Sequence, residues 1–225
     1  MSEPTVSSPA AGFVEPRVQE EFPGLRLDWM TIAARPRDSP PWLRRRLNEL
    51  SNRYRGDGVV VMRTKPIPQA YRAFFRQIGL DPDVTRIPSE QVAVTRLLHG
   101  QFRSTGLIAD ACLVALIETG VPVWALDADR VDEGGLGIRT TTAADGERTR
   151  QPGGYLAPDS LVVADRTSIH GLLFADPAPG HGIGHRTRRV ALYTIAVDGV
   201  PAIHVEEALW MCVELLGSEL SHGPS

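Results

Sequence analysis

The chain has 225 residues, 42% of them hydrophobic and 23% charged, with a formal net charge of −3. That composition suits one globular domain long enough to bury a sizeable core, and it excludes a global positive field that would draw the surface onto DNA or an anionic membrane. Two cysteines far apart in the chain, Cys112 and Cys212, argue against a disulfide framework or a cysteine-based zinc site.

Residues 1–17, rich in Ser, Pro and Ala without periodicity, read as a disordered tail, 18–217 as a single domain, and 218–225 as a flexible C-terminus. The N-terminus has no basic segment followed by an apolar one. No run approaches the roughly 18 apolar residues of a membrane span, so the expected location is the cytoplasm. The stretch 25–34 reads as a strand, 35–41 as a loop, 42–56 as a basic helix and 58–62 as an apolar strand. Helices follow at 69–79, where Ala70, Tyr71, Phe74, Phe75 and Ile78 recur at helical spacing, and at 88–100, which opens on Pro88-Ser89 and closes on Gly100. A third helix at 107–119 stops at Gly120. From there the pattern turns to strands at 122–127, 136–142, 161–165, 171–176 and 189–197, with turns at Ala144-Asp145-Gly146 and Asp198-Gly199, and a closing helix spans 205–217. Helices, then strands, then a helix predict an α+β fold. In it, residues 122–197 form a mostly antiparallel β core flanked by helices 69–79, 88–100, 107–119 and 205–216.

Several residues could carry chemistry. Asp110 shares a helical face with Leu113, Val114 and Ile117, so its carboxylate must find donors, either as a ligand-orienting acid or as a structural acid bonded to a loop or an arginine. Asp127 and Arg139 stand at or near strand ends, where side chains line clefts, and Glu147 follows a turn. Arg63, Arg72 and Arg86 read singly as solvated or paired charges. In GHGIGH (180–185), His181 and His185 lie four apart with His170 and Asp176 upstream, but three glycines make this a loop, and no metal site is expected. EGGLGIR (133–139) reads as a hairpin turn, since no GK[ST] follows. The charges around Arg44, Arg45, Arg46, Arg53 and Arg55 surround their helix instead of forming one stripe, which suits a solvated face. No GxSxG or HExxH motif occurs.

The segments KPIPQAYRAFFRQIGLDPDVTRIPSEQVAVTRLLHG (65–100), LIADACLVALIETGVPVWALDADRV (107–131), GLGIRTTTAADGE (135–147) and LVVAD (161–165), in this order and spacing, resemble the B3/B4 domain of the phenylalanyl-tRNA synthetase beta subunit, and most of all its freestanding relatives. The resemblance spans about residues 18–217. It implies a layered B3/B4 fold with a β-sandwich-like core flanked by helices. It also implies an editing function, in which tyrosine wrongly esterified to phenylalanine tRNA is hydrolysed. Such a site exists because a pocket built for Phe cannot strongly reject an isostere that merely adds a hydroxyl. Hydrolysis of an activated ester needs little beyond a positioned water and oxyanion donors. GVPVWALD (120–127) matches the family pattern G-Q-P-x-H-A-F-D, and the editing-pocket histidine falls on Trp124. Thr187 to Tyr193 matches T-x-x-I-x-L-E, and the glutamate that recognises the tyrosine hydroxyl falls on Tyr193. Asp127, Arg139, Gly146, Glu147 and Asp165 keep the framework.

The resemblance implies tRNA or aminoacyl-tRNA, or a small amino-acid-like ligand, as partner, with no cofactor. Two functions follow: a trans-acting deacylase whose ester is not tyrosyl, or a non-catalytic module that binds RNA or a small ligand. Trp124 and Tyr193 are expected to line one cavity with a carboxylate, Asp110 or Asp127. Arg86, Arg139 and Glu147 complete the candidate set.

Overall fold

The computed structural model describes residues 6–54, 62–142, 145 and 157–217. In chain order its elements are β1 (Ala10–Ala11), β2 (Phe13–Val14), α1 (Pro16–Glu21), β3 (Arg26–Ala33), α2 (Pro41–Arg53), α3 (Pro66–Gln77), α4 (Pro88–His99), α5 (Leu107–Thr119), β4 (Val123–Asp127), a short 3₁₀ turn (Ala128–Arg130), β5 (Gly137–Thr140), β6 (Leu161–Ala164), β7 (Ile169–Leu172), β8 (Arg189–Ala196) and α6 (Ala202–Gly217). This is a mixed α+β architecture, with two four-stranded sheets and six α-helices among the described residues. No described helix is long and apolar enough to cross a membrane.

Local chemistry explains the helix boundaries. Proline opens α2, α3 and α4, where its fixed φ suits the first turn and its missing N–H costs nothing. Gly100 and Gly120 close α4 and α5 with φ of 77° and 78°, the left-handed conformation that glycine adopts without a Cβ penalty.

The first sheet has the order β1-β3-β8-β4. β8 runs antiparallel to β3 from Arg26↔Ala196 to Ala33↔Arg189, and antiparallel to β4 from Val123↔Thr194 to Asp127↔Val190. Every residue of β8 after Arg189 is buried, which is why the strand reads as a continuous, largely apolar run. Helix α6 packs on β3 and β8, α5 on β4, and the two helices pack on each other, with α2 outside α5. The second sheet has the order β2-β5-β6-β7, antiparallel except for the β2–β5 pair.

The β core is therefore not confined to 122–197: β3 supplies the long partner of its central strand. Residues 6–17 are also not a free tail. Val6 bridges Ile32, β1 pairs with β3 and β2 with β5. At Gly12 the chain crosses from one sheet to the other. Its N–H donates to the Leu27 carbonyl at 2.7 Å, and the next N–H, of Phe13, donates to the Leu136 carbonyl at 3.2 Å. A Cβ at Gly12 would stand 2.4 Å from the Leu136 oxygen, so only glycine lets the sheets approach there. The strand expected at 58–62 lies, except for Met62, outside the described residues, as do Arg55, Gly146, Glu147 and residues 218–225.

Candidate functional site

Register on the first sheet sets Trp29, Tyr193 and Trp124 opposite one another on β3, β8 and β4, so the three rings share a face. The Trp124 and Tyr193 rings stack with centroids 5.5 Å apart and planes 16° apart. Tyr193 is only 1% exposed, whereas Trp124 is half-buried. Phe174, on the chain leaving β7, lies 6.0 Å from Trp124 and also meets Tyr71, Phe74 and Phe75 at 5.2 to 5.8 Å.

The strand expected over 171–176 is corrected here: β7 spans Ile169–Leu172, and Phe174 has a φ of 63° that a strand cannot contain. The ring contacts of the aromatic cluster hold it in that conformation. A non-glycine residue kept in a costly backbone state beside a cleft is a pointer to function.

An open groove of about 1520 Å³ runs past this wall. Trp124, Phe174, Leu113 and Leu116 give it apolar surface, with Cys112 beside them. Asp127 and Asp176 supply carboxylates, and Arg37, Arg86, Arg130 and Arg186 stand along it, all four exposed. Its volume exceeds the roughly 300–1,000 Å³ of drug-sized sites, which fits an elongated ligand better than a single small molecule. A second cavity, of about 300 Å³, lies between Tyr54, Lys65, Ile117 and His204, and none of the candidate site residues Asp110, Trp124, Asp127, Arg139, Tyr193 and Arg86 lines it.

The sequence-derived candidates separate. Trp124, Asp127 and Arg86 line the groove. Tyr193 stands behind Trp124, so the shared cavity expected for the two rings is a stacked wall with only Trp124 on the groove side. Burial, followed by the nearby charges of Asp176 and Cys112, pushes the Tyr193 phenol well above its ordinary pKa, so it stays protonated. Asp110 is elsewhere. Fully buried, it accepts from Ser39 Oγ and Ser104 Oγ at 2.5 Å each and from the Thr105 N–H at 2.9 Å, which ties the loops before α2 and α5 together. Of the two roles open to Asp110, this geometry is the structural one. Arg139 makes a two-pronged pair with Asp145 at 2.7 and 3.1 Å on the second sheet and does not line the groove.

Asp127 has an anchoring task. Its carboxylate accepts from Thr187 Oγ1 at 2.8 Å and from the Asp129 N–H at 3.1 Å, and its own N–H donates to the His181 carbonyl at 3.1 Å. The end of β4 is thereby fastened to the glycine-rich loop that forms part of the groove.

That loop contributes His181 to a grouping, with Asp165 and His170 of the β6–β7 hairpin, that sequence reasoning missed. The β6–β7 hairpin, with Ala164 opposite Ile169, brings Asp165 and His170 together, and His170 Nε2 lies 2.8 Å from Asp165 Oδ2. His170 Nδ1 in turn lies 2.9 Å from His181 Nδ1, with the rings edge to face. The signal in the sequence was three histidines near two acids, read there against metal-ligand spacing only. Among the described residues no group of His, Cys, Asp and Glu is arranged to hold a metal ion.

No family model matches the chain, and no curated protein matches it.

Proposed function

We propose that the groove beside Trp124 receives the aminoacylated 3′ end of a tRNA and that the protein hydrolyses the ester, as a freestanding B3/B4-like editing domain whose amino acid is not tyrosine. The observation that carries this reading is the stacked Trp124–Tyr193 pair in the wall of an elongated groove with four exposed arginines. Aromatic faces accept a base or an apolar side chain, and arginines neutralise phosphates, so local positive charge serves a chain whose net charge is −3. The order of motifs from residue 65 to residue 165 supports the family assignment. The two sheets joined at Gly12 and flanked by helices are compatible with the layered fold that the assignment implies.

The substituted positions set the specificity. A carboxylate would accept the hydroxyl of a tyrosyl ester; position 193 instead offers a buried phenol, kept neutral and beside Asp176. The indole of Trp124 donates only. The site therefore has lost the acceptor that discriminates tyrosine while keeping its apolar wall. Incubation with a panel of aminoacyl-tRNAs, following ester loss against a Trp124→Ala control, tests the reading. Ester loss that depends on Trp124 supports it. Tight binding of a free amino acid without turnover of any ester replaces it with the binding-module function.

A further inference from the structure

We infer that the smaller cavity, of about 300 Å³, is a second binding site, and that its ligand is a small apolar carboxylate whose acid group meets Lys65 and Ser89. The cavity shares no lining residue with the Trp124 groove, so the inference goes beyond the ester-hydrolysis reading and does not depend on it.

The hydroxyl of Ser89 is buried without a hydrogen-bond partner, the only such side-chain polar atom among the described residues. The residue as a whole is 6% exposed. A hydroxyl hidden from water and left unpaired is costly, and native proteins keep few of them. Ser89 itself lines the cavity, so an acceptor seated there supplies the partner that the hydroxyl lacks. Lys65 lines the cavity too, and among the described residues its ammonium has neither an ion-pair nor a hydrogen-bond partner.

The other polar groups around the cavity are engaged. Glu118 Oε1 lies 2.8 Å from Arg53 Nη2 and 3.6 Å from Arg46 Nη2, and these arginines, which do not line the cavity, offset its charge. His204 Nδ1 lies 3.2 Å from Glu207 Oε2. Thr119 Oγ1 donates to the Ala115 carbonyl at 2.7 Å and accepts from the Val121 N–H at 3.1 Å. Two donors, Lys65 and Ser89, are left for a ligand, and together they select a group that only accepts, as an ionised carboxylate does.

Helix ends favour the same charge. Pro66, Ile67 and Pro68 belong to the first turn of α3, Ser89 to that of α4 and His204 to that of α6. Three positive helix ends therefore border the cavity. The negative end of α5 also reaches it, but there the Leu116 carbonyl accepts from the Gly120 N–H and the Ala115 carbonyl from Thr119. Met62, Ile67, Pro68, Ile117 and Pro201 make the rest of the wall apolar. The volume stands at the low end of small-molecule sites, which suits one aromatic ring or a short branched chain behind the acid group.

The test titrates 3-phenylpropanoate and 4-methylpentanoate, each beside its uncharged amide, into the full-length protein at pH 7 and follows the methyl carbons of Met62, Ile67 and Ile117 by NMR. At least one carboxylate should shift these methyls saturably while the Trp124 indole signal stays in place. Its amide, and the carboxylate with Lys65→Met or Ser89→Ala protein, should each bind about tenfold more weakly or worse, as expected when a hydrogen bond to a charged group is lost. Ser89→Ala removes an unpaired hydroxyl, so the ligand-free variant should unfold in urea no earlier than the wild type. An earlier midpoint would show that the hydroxyl is already bonded and would overturn the inference. So would the absence of any saturable shift at the cavity methyls, which would leave water as the occupant, or equal binding of carboxylate and amide, or affinities unchanged in both variants. None of these readouts involves an ester, so failure of the ester reading would leave this site standing.

Discussion

Asp110 shows how one residue can look catalytic in sequence and be structural in space. A carboxylate in an apolar stripe must find donors, and here it finds Ser39, Ser104 and Thr105 from two loops. Asp110→Ala should strand the buried Ser39 hydroxyl and cost about 3 kcal/mol, on the order of 10 °C in Tm, measured by urea and thermal unfolding. Ester hydrolysis per folded molecule should be unchanged, because Asp110 does not line the groove. Its need for partners was legible, but which partners was not, since Ser39 lies 71 residues away. Trp124 was expected in the pocket because the resemblance sets it where the family's editing histidine stands, and it does line the groove. The burial of Tyr193 was not, because it follows from β8 lying between two neighbours.

At the scale of elements, periodicity and punctuation gave five of the six described helices but not α1, which lies largely in the stretch read as a tail, while contacts across the chain decided what they missed. β1 and β2 are two residues long each and exist because β3 and β5 offer edges. Nothing in the local composition of Ala10 to Val14 signals a strand. Phe174 ends β7 early through ring contacts with α3 that no local pattern encodes. α3 and α4 are coupled by a buried ion pair, with Arg72 Nη1 at 2.9 and 3.0 Å from the two Glu90 oxygens and both residues at most 6% exposed. Arg72→Met leaves Glu90 buried with Arg63 as its remaining partner and should destabilise by about 3 kcal/mol. Adding Glu90→Leu should recover much of that loss, because a paired apolar replacement removes the stranded charge. Denaturant midpoints of the single and double variants check this, and a double variant weaker than Arg72→Met would contradict it.

For the whole molecule, the ionised carboxylates set the response to acid. Arg139 holds the Asp145 carboxyl well below the usual range, and the donors around Asp165 hold it at about 2. A folded pKa below the unfolded one means that this stabilisation is complete above the ordinary value of 3.8 and is lost as the pH falls through the folded value. Stability from urea unfolding should therefore be flat in this contribution near neutrality and drop from pH 4 toward pH 2, with a shallower drop in Asp165→Asn. A stability that rises on acidification over that window would contradict it. The α+β class was legible in the order of helices and strands. The joining of two sheets through Gly12 was not, because it depends on which strands pair. The claim that organises the site is that the Trp124 groove cleaves an aminoacyl ester other than tyrosyl, and the direct measurement is the half-life of tyrosyl-tRNA beside the other aminoacyl-tRNAs, with wild-type protein and with Trp124→Ala. The account predicts at least one non-tyrosyl ester cleaved faster than the tyrosyl one, since the missing charged acceptor lowers discrimination in favour of tyrosine by roughly ten- to a hundredfold, and predicts that Trp124→Ala removes this activity. Brisk cleavage of tyrosyl-tRNA by the wild type, or equal ester loss with and without Trp124, would contradict it.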